Sequence, residues 1–313
     1  MMRKSGKQKR KATVGDWIFR FISLILIGVM VFCGYQLLKK YLEYKKSDDT
    51  FETIRNNVVE DGEPLPTEDG KKKKVKNAIG IDWDSLKGTD AVAWFQMDDI
   101  SYPVMQKPGD DDYYLHRLPN GEYNYGGSLF LYSKNNPLLT DESSFIYGHN
   151  MNNGSMFGKL KNYVKEEYHN HHFYLYLPDG TRHDYLFFSI ALVDTTSQCY
   201  TWSFADDDAF ENWQKWMKEM SKVNCDAKID LSKRYVTLST CNGVSGGTKR
   251  LVICGQETSI DEVQEPAGWY KDYIKKLQNS KSENRKKADS IEADLRKIQS
   301  KSRKQIYDER RSH

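Results

Sequence analysis

The sequence predicts a mainly β domain, a barrel or a sandwich with two helical insertions, preceded by one transmembrane helix. Short β-prone runs recur between turn residues from about residue 79 onward, and this spacing is typical of all-β folds. An uncharged apolar run at residues 21–38 follows a cluster of basic residues at the N-terminus. The length of 313 residues allows at most two globular units.

The apolar run is long enough to be a membrane anchor. At ~1.5 Å per residue, residues 21–38 and the aromatic residues just ahead of them cross a hydrocarbon layer of ~30 Å. Trp17, Tyr35 and Tyr41 suit the two membrane interfaces. The run is longer than the apolar core of a signal peptide, and no A-x-A-like cleavage site follows it. We therefore predict an uncleaved signal anchor at residues 17–40, rather than a cleaved signal peptide or a buried core helix.

The basic residues predict how the anchor is oriented. Residues 1–16 are rich in Lys and Arg, so the positive-inside rule places them in the cytoplasm and the chain after Lys40 outside the cell. Several lysines directly after the run weaken this asymmetry. The expected location is the cell membrane, crossed once. The net charge of +3 is too small to indicate a nucleic-acid partner.

Three segments follow the anchor. Residues 41–78 are predicted to form an extracellular stalk, with a short helical piece around Phe51 and then the charged, turn-rich stretch EDGEPLPTEDGKKKK. Residues 79–257 form the predicted β domain. Residues 258–313 are predicted to be a charged, helical tail, because the strand pattern ends with RLVICGQ. We expect the chain beyond Gln264 to be dispensable for chemistry.

The β domain alternates candidate strands with helical insertions. The candidate strands are AVAWFQM, ISYPVMQ, SLFLY, SSFIYGH, FYLYL, DYLFFSIALV, RYVTLST and RLVICGQ. The insertions lie at residues 156–163 and 206–222. The second has Phe210, Trp213 and Met217 at helical spacing, and this stripe is expected to pack against the strands rather than to bind a cofactor.

The cysteines and histidines offer two candidate metal sites, and neither has the usual ligand spacing. Four cysteines of the β domain lack CxxC spacing: Cys199, Cys225, Cys241 and Cys254. The cluster HNHH at residues 169–172 precedes a strand, in which consecutive histidines face opposite sides. We therefore expect no metal site. A disulfide between Cys199 and Cys225 is conceivable outside the cell, and the sequence leaves it open.

One cysteine has the context of a nucleophile. Cys241 follows a β-prone run, and a loop rich in Gly and Ser, residues 242–248, returns the chain to a strand that begins at Arg250. If the two strands are neighbours, Cys241 and Arg250 lie at the same rim, where a cation lowers the pKa of a thiol. His149 ends another candidate strand, a position suited to proton transfer. From these residues alone, a small buried cysteine remains the commoner explanation.

The segment YVTLSTCNGVSGGTKRLVICG, with YGHN upstream, resembles the sortases, which are surface transpeptidases of Gram-positive bacteria. The stretches IDWDSLKGTDAVAWFQMDDISYPVMQ, DDDYYLHR, GSLFLY and SFIYGHNM are similar to successive landmarks of class B, as is the helix at residues 206–222. The resemblance covers about residues 79–257. It implies an eight-stranded β-barrel and a cysteine transpeptidase that needs no metal and no organic cofactor.

The resemblance also implies a role for each reactive residue. Cys241 attacks the carbonyl after a threonine in the C-terminal sorting signal of a surface protein, which forms a thioester. His149 gives a proton to the leaving amine and later takes one from the incoming amine. Arg250 holds the substrate carbonyl or the developing oxyanion. The implied acceptor is an amine of a peptidoglycan stem or cross-bridge, or of a pilin lysine.

Four residues of a substrate groove follow from the same resemblance. The family's D-N-x-x-Y-L stretch is similar to DDDYYL, which assigns Asp111 and Leu115, and Ser239 and Tyr200 match two further groove positions. Asp111 stands where asparagine is usual, so the preferred signal is open. Two other interpretations remain: a surface cysteine protease or amidase that hydrolyses its acyl-enzyme, and a non-catalytic anchored scaffold whose cysteine is merely buried.

Overall fold

A closed barrel of eight strands forms the centre of the protein, as predicted. The computed structural model describes residues 13–62, 65–66, 72–73, 75–165, 171–241 and 247–279. The barrel strands are β1 (Ala91–Met97), β2 (Ile100–Met105), β3 (Leu129–Leu131), β4 (Ser143–Tyr147), β5 (His172–Tyr176), β6 (Thr181–Asp194), β7 (Tyr235–Cys241) and β8 (Lys249–Glu262). Their order around the barrel is β6-β8-β7-β4-β3-β2-β1-β5, and β5 closes on β6.

Two of the strand pairs are parallel, β2 with β3 and β4 with β7, and the others are antiparallel. Because parallel neighbours run in the same direction, β4 and β7 deliver their last residues to the same rim of the barrel. This rim carries the candidate site.

Large apolar side chains fill the barrel interior. Phe95, Phe173 and Phe187 are fully buried in one cluster with residues of β4, β7 and β8. Gly255 on β8 allows a close approach, because a Cβ there would lie 2.4 Å from Cε1 of Phe173. The interior is therefore closely packed, and the candidate reactive residues lie at its rim rather than in its centre.

A single helix, α1 (Val14–Val58), joins the N-terminal segment to the barrel. Its first half carries exposed apolar residues, and the helix is long enough and apolar enough to cross a membrane. Its second half packs on the barrel: Phe51 lies edge-on to Tyr102 with ring centroids 5.2 Å apart, and the Arg55 guanidinium donates to the Ser101 carbonyl at 3.2 Å. The predicted stalk at residues 41–78 therefore differs from the structure, since its helical piece is docked.

The rest of the predicted stalk also contributes backbone pairing. Val59–Asp61 pairs antiparallel with Ile79–Ile81, and Leu65–Pro66 pairs with Lys72–Lys73. Packing onto the barrel thus begins well before residue 79, the predicted start of the β domain. The charged and turn-rich composition of this segment predicts a loop rather than these short strand pairs.

The two insertions differ in character. The first forms a 3-10 helix at Leu160–Lys165, later in the chain than predicted. The second is α2 (Asp207–Glu219), capped by the Asp206 carboxylate, which accepts from the Ala209 backbone N–H at 2.8 Å. Its apolar stripe packs against the barrel, as expected: Phe210, Trp213 and Met217 are buried. Two further 3-10 helices lie at Tyr113–His116 and Gln198–Tyr200.

The C-terminal boundary lies beyond the predicted residue 257. Strand β8 continues to Glu262, and the indole N–H of Trp269 then donates to the Trp83 carbonyl at 3.1 Å. Residues 270–279 are helical. The beginning of the predicted tail therefore packs on the barrel domain, because it carries aromatic residues that find apolar partners there. Residues 280–313 lie outside the described part of the chain.

Candidate active site

Strand pairing places Cys241 and Arg250 opposite each other. In the antiparallel ladder of β7 and β8, Cys241 is the register partner of Arg250, and the pair stands where the two strands separate into the connecting loop. Cys241 is partly exposed and its thiol is free. Nη1 of Arg250 donates to the carbonyls of Gly247 at 2.6 Å and Lys249 at 3.1 Å. A guanidinium has five N–H donors, so Arg250 keeps others for a ligand.

The parallel neighbour brings His149 to the same rim. Tyr147 is the register partner of Ser239 between β4 and β7, and the Gly148 N–H donates to the Ser239 carbonyl at 3.1 Å. His149 and Cys241 each follow this pair by two residues on strands that run in the same direction. The Asn150 amide fixes the Cys241 backbone, because Nδ2 donates to its carbonyl at 2.9 Å.

Cys241, His149 and Arg250 line one open cleft of about 400 Å³. The other lining residues are Asp111, Asp112, Leu115, Phe130, Tyr132, Tyr147, Gly148, Thr195, Tyr200, Ser239 and Thr240. All four predicted groove residues are among them. Aromatic and aliphatic side chains form one part of the wall, and two carboxylates lie in another.

Ser239 and Tyr200 contact each other in the wall of the cleft. The hydroxyl of Tyr200 lies 2.8 Å from Oγ of Ser239, which is 2% exposed. The Tyr200 ring stacks on Tyr147, with centroids 6.3 Å apart and planes at 21°. Burial raises the pKa of Tyr200 to about 12, so its hydroxyl stays protonated at neutral pH. Ser239 therefore holds Tyr200 in place, and Tyr200 faces the cleft.

Asp111 and Leu115 come from the segment that enters the 3-10 helix Tyr113–His116. The Asp111 carboxylate accepts from the Ser133 backbone N–H at 2.9 Å and remains exposed. Leu115 contributes twice, since its side chain lines the cleft and its carbonyl accepts from Nε2 of His149 at 2.7 Å. That bond requires a proton on Nε2, which leaves Nδ1 as the nitrogen able to exchange one.

Burial is the main influence on the titration of His149. It lowers the pKa of the imidazole below its ordinary value, while the hydrogen bond to the Leu115 carbonyl opposes the shift and the nearby His116 adds to it. The neutral form is therefore favoured at neutral pH.

The remaining cysteines of the barrel domain have a different environment. Cys199, Cys225 and Cys254 are buried, and burial raises the pKa of Cys254 to about 12. A buried, protonated thiol is a poor nucleophile. Cys199 and Cys225, whose pairing the sequence left open, are both free thiols.

Tyr147 and Asn150 are among the residues of the site that the sequence did not predict. Tyr147 precedes His149 by two residues, so the period of a strand could have placed both on one face. Asn150 directly follows His149, and no sequence pattern predicts its hydrogen bond to the Cys241 carbonyl. Within the described residues, no group of three or more His, Cys, Asp or Glu side chains is arranged to hold a metal ion. His169 of the HNHH cluster lies outside them.

Comparison with known proteins gives consistent matches. The Sortase domain family matches residues 96–258, just over half of the chain. Sortase B of Listeria monocytogenes serovar 1/2a is 28% identical over 251 residues, which cover 78% of this chain and 98% of the relative. Sortase B of Staphylococcus aureus is 24% identical over 241 residues, with 74% and 93% covered.

Solved structures share the fold. The crystal structure of sortase B from B. anthracis in complex with AAEK1 superimposes with a TM-score of 0.54 at 23% identity, covering 70% of this chain and 99% of that one. The Staphylococcus aureus sortase B–substrate complex gives a TM-score of 0.51 at 24% identity, with 58% and 85% covered.

Proposed function

Because this chain belongs to the sortase family of cysteine transpeptidases and its relatives are sortases B, we propose that it joins surface proteins to a cell-wall amine through a thioester on Cys241. The substrate is a protein with a C-terminal sorting signal. The acceptor is an amine of a peptidoglycan stem or cross-bridge, or of a pilin lysine. The observation that carries the proposal is the strand register that sets Cys241 opposite Arg250 and beside the end of β4, where His149 lies.

The first half-reaction forms the acyl-enzyme. The thiolate of Cys241 attacks the carbonyl carbon after the threonine of the signal, and the carbonyl oxygen takes up the negative charge. Arg250 donates N–H groups to that oxyanion, where a charge-assisted bond counts most. The C–N bond then breaks, and protonated His149 gives its proton to the departing amine. The product is a thioester.

The second half-reaction uses the same groups in reverse. An incoming amine attacks the thioester carbonyl, and His149 takes the proton that the new amide nitrogen releases. The C–S bond breaks, and Cys241 leaves as a thiolate stabilised by the nearby guanidinium. The first half requires protonated His149 and the Cys241 thiolate together, and the second half restores them. Burial favours the neutral imidazole and therefore disfavours this reactive ion pair in the free enzyme.

The cleft walls supply the contacts for the signal. We assign Leu115 and Tyr200 to its apolar residues, with Ser239 supporting Tyr200 through the 2.8 Å contact between their hydroxyls. Asp111 and Asp112 are exposed carboxylates at the same cleft. They favour a signal that presents a hydrogen-bond donor or a positive charge at this part of the wall.

The anchor gives the proposed location. Residues 17–40 of α1 cross the cell membrane once, residues 1–16 are cytoplasmic and the barrel is outside. The membrane then holds the enzyme beside its protein substrates during their export.

One experiment tests this function directly. The full chain, in detergent micelles, is incubated with a library of sorting peptides and candidate amines, and the products are identified by mass spectrometry. We expect a thioester adduct on Cys241 and an amide-linked product, and neither with the Cys241→Ala variant. Hydrolysis without amide product would support a protease or amidase. No adduct with any peptide would support a non-catalytic scaffold.

A further inference from the structure

Four aromatic rings form one cluster beside the cleft, made of Tyr44, His116, Tyr125 and His149. The His149 ring stacks on His116, with centroids 5.3 Å apart, and on Tyr125, with centroids 5.8 Å apart. The interplanar angles are 24° and 15°. Tyr125 in turn stacks on Tyr44 of helix α1 at 6.1 Å and 27°. A continuous set of near-parallel rings thus links the anchor helix to the candidate catalytic histidine.

The same part of α1 contacts the chain on both sides of His149. We call residues 43–48 the docking segment. Ahead of the histidine, Nδ2 of the buried Asn124 donates to the Glu43 carbonyl at 3.0 Å. After it, Nδ2 of Asn153 donates to the Asp48 carboxylate at 2.8 Å. The docking segment therefore holds both segments that flank His149.

The fit between the docking segment and the barrel is close. Ser47 is 1% exposed, and a Cβ on Gly126 would lie 3.1 Å from its Oγ and 3.3 Å from Cε of Met151. Asn124 accepts from the Gly126 N–H at 2.8 Å, which ties this turn to the residue that binds Glu43. Helix and turn are therefore closely packed against each other.

We propose that the docking segment is part of the active site, and that Tyr44 is a positioning residue that holds His149 through Tyr125. The inference rests on the proposed function, since it takes His149 as the group that transfers the proton. It extends that function, because it makes proton transfer depend on the docking of the membrane helix.

The His149 imidazole depends on the stacked rings for its orientation, because it has few polar contacts. Its one polar anchor in the described structure is the 2.7 Å bond from Nε2 to the Leu115 carbonyl, about which the ring can tilt. The stacked rings restrict this tilt, and tilting moves Nδ1 relative to the reacting atoms. Tyr44 stacks on Tyr125 from helix α1 and so restricts the ring that packs against His149.

The test uses the full chain in detergent micelles and three variants of α1. Tyr44→Ala removes the ring, Tyr44→Phe keeps it, and Tyr41→Ala is the matched control, since Tyr41 is 62% exposed on the same helix. We expect Tyr44→Ala to lower kcat by about 3- to 10-fold with little change in KM, as the loss of one aromatic pair implies. Tyr44→Phe and Tyr41→Ala should stay within about twofold of wild type.

A spectroscopic measurement separates positioning from general damage. With ¹³C-labelled histidine, the ring resonance of His149 is assigned by its disappearance in His149→Ala. We expect this resonance to shift in Tyr44→Ala and to stay in place in Tyr44→Phe and Tyr41→Ala, while the melting temperature confirms that each variant is folded. The resonance can be read even if no peptide is turned over, so a failure of the proposed function does not affect this arm. An unmoved resonance, or equal losses of kcat in Tyr41→Ala and Tyr44→Ala, would overturn the proposal.

Discussion

At the residue scale, Arg250 differs from a simple positive charge. Its planar fork donates several N–H groups at once, whereas an ammonium donates from a single point. We expect Arg250→Lys to lower kcat by about 10²–10³, the usual loss of an oxyanion donor, despite the retained charge. Steady-state kinetics with a sorting peptide measure this. Lys249→Arg is the matched control, because Lys249 is exposed and pairs with Asp194 at 2.8 Å. A loss of only a few-fold in Arg250→Lys would make Arg250 structural.

The burial of His149 predicts the pH dependence. The reactive ion pair carries one proton less than the fully protonated site, so its fraction rises with pH until the site has lost that proton. The acidic limb of kcat/KM therefore ends at the His149 pKa, which burial lowers from 6.5. Tyr125→Ala uncovers the ring and should move the limb upward towards pH 6.5. Tyr41→Ala, at a ring 62% exposed on α1, should not. A wild-type limb above pH 6.5 would contradict this account.

The placement of the proposed reactive residues at one rim could be predicted from the sequence, and the placement of the residues that contact them could not. Cys241 and Arg250 flank one loop, and a hairpin of neighbouring strands brings such residues together. The ring cluster joins Tyr44, Tyr125 and His149, which are far apart in the chain and follow no common period. Only the tertiary fold brings these rings into contact.

At the element scale, helix α1 shows that composition alone does not predict whether a charged segment packs on the barrel. The sequence after the membrane run is charged and resembles a solvated stalk, yet Ser47, Phe51 and Val58 are buried. A few residues on one helical face are sufficient for docking, because the facing surface of the barrel is apolar. The strands were easier to predict, since β-prone runs between turn residues define them locally.

The C-terminal segment after Gln264 makes contacts whose contribution to stability can be measured. Trp269 bonds to the Trp83 carbonyl, the Ala267 N–H donates to the Pro178 carbonyl at 2.8 Å, and burial raises the pKa of Tyr273 to about 12. Unfolding in urea compares a chain that ends at residue 279, which keeps these contacts, with a chain that ends at Gln264. A chain that ends at Gln264 should lose about 1–3 kcal/mol, the worth of a half-buried aromatic contact and its hydrogen bond.

Peptide turnover distinguishes a loss of stability from a loss of catalytic activity. Both shortened chains retain the cleft residues, so kcat/KM should be unchanged at temperatures where they are folded. Equal stability of the two chains would mean that the Trp269 contact contributes nothing.

At the scale of the whole molecule, one continuous helix connects the predicted membrane span with the barrel that carries the candidate cleft. If the membrane segment ends at residue 40, Tyr44 lies about 6 Å further along the helix axis at ~1.5 Å per residue. The side of the cleft that carries His149 is then close to the membrane surface. A continuous helix, rather than an extended stalk, joins the apolar segment to the barrel.

Because α1 is continuous, the orientation of the anchor predicts the side of the membrane on which Cys241 can be labelled. If α1 spans the membrane, the barrel into which it runs unbroken lies on the side opposite the basic N-terminal segment. In a Cys33→Ala background, a membrane-impermeant maleimide should label Cys241 on intact protoplasts, since the barrel's other thiols are buried. Cys241→Ala should abolish the label. A cysteine introduced by Ser5→Cys should react only after lysis. Labelling of Cys241 only after lysis would place the barrel in the cytoplasm and reverse the topology.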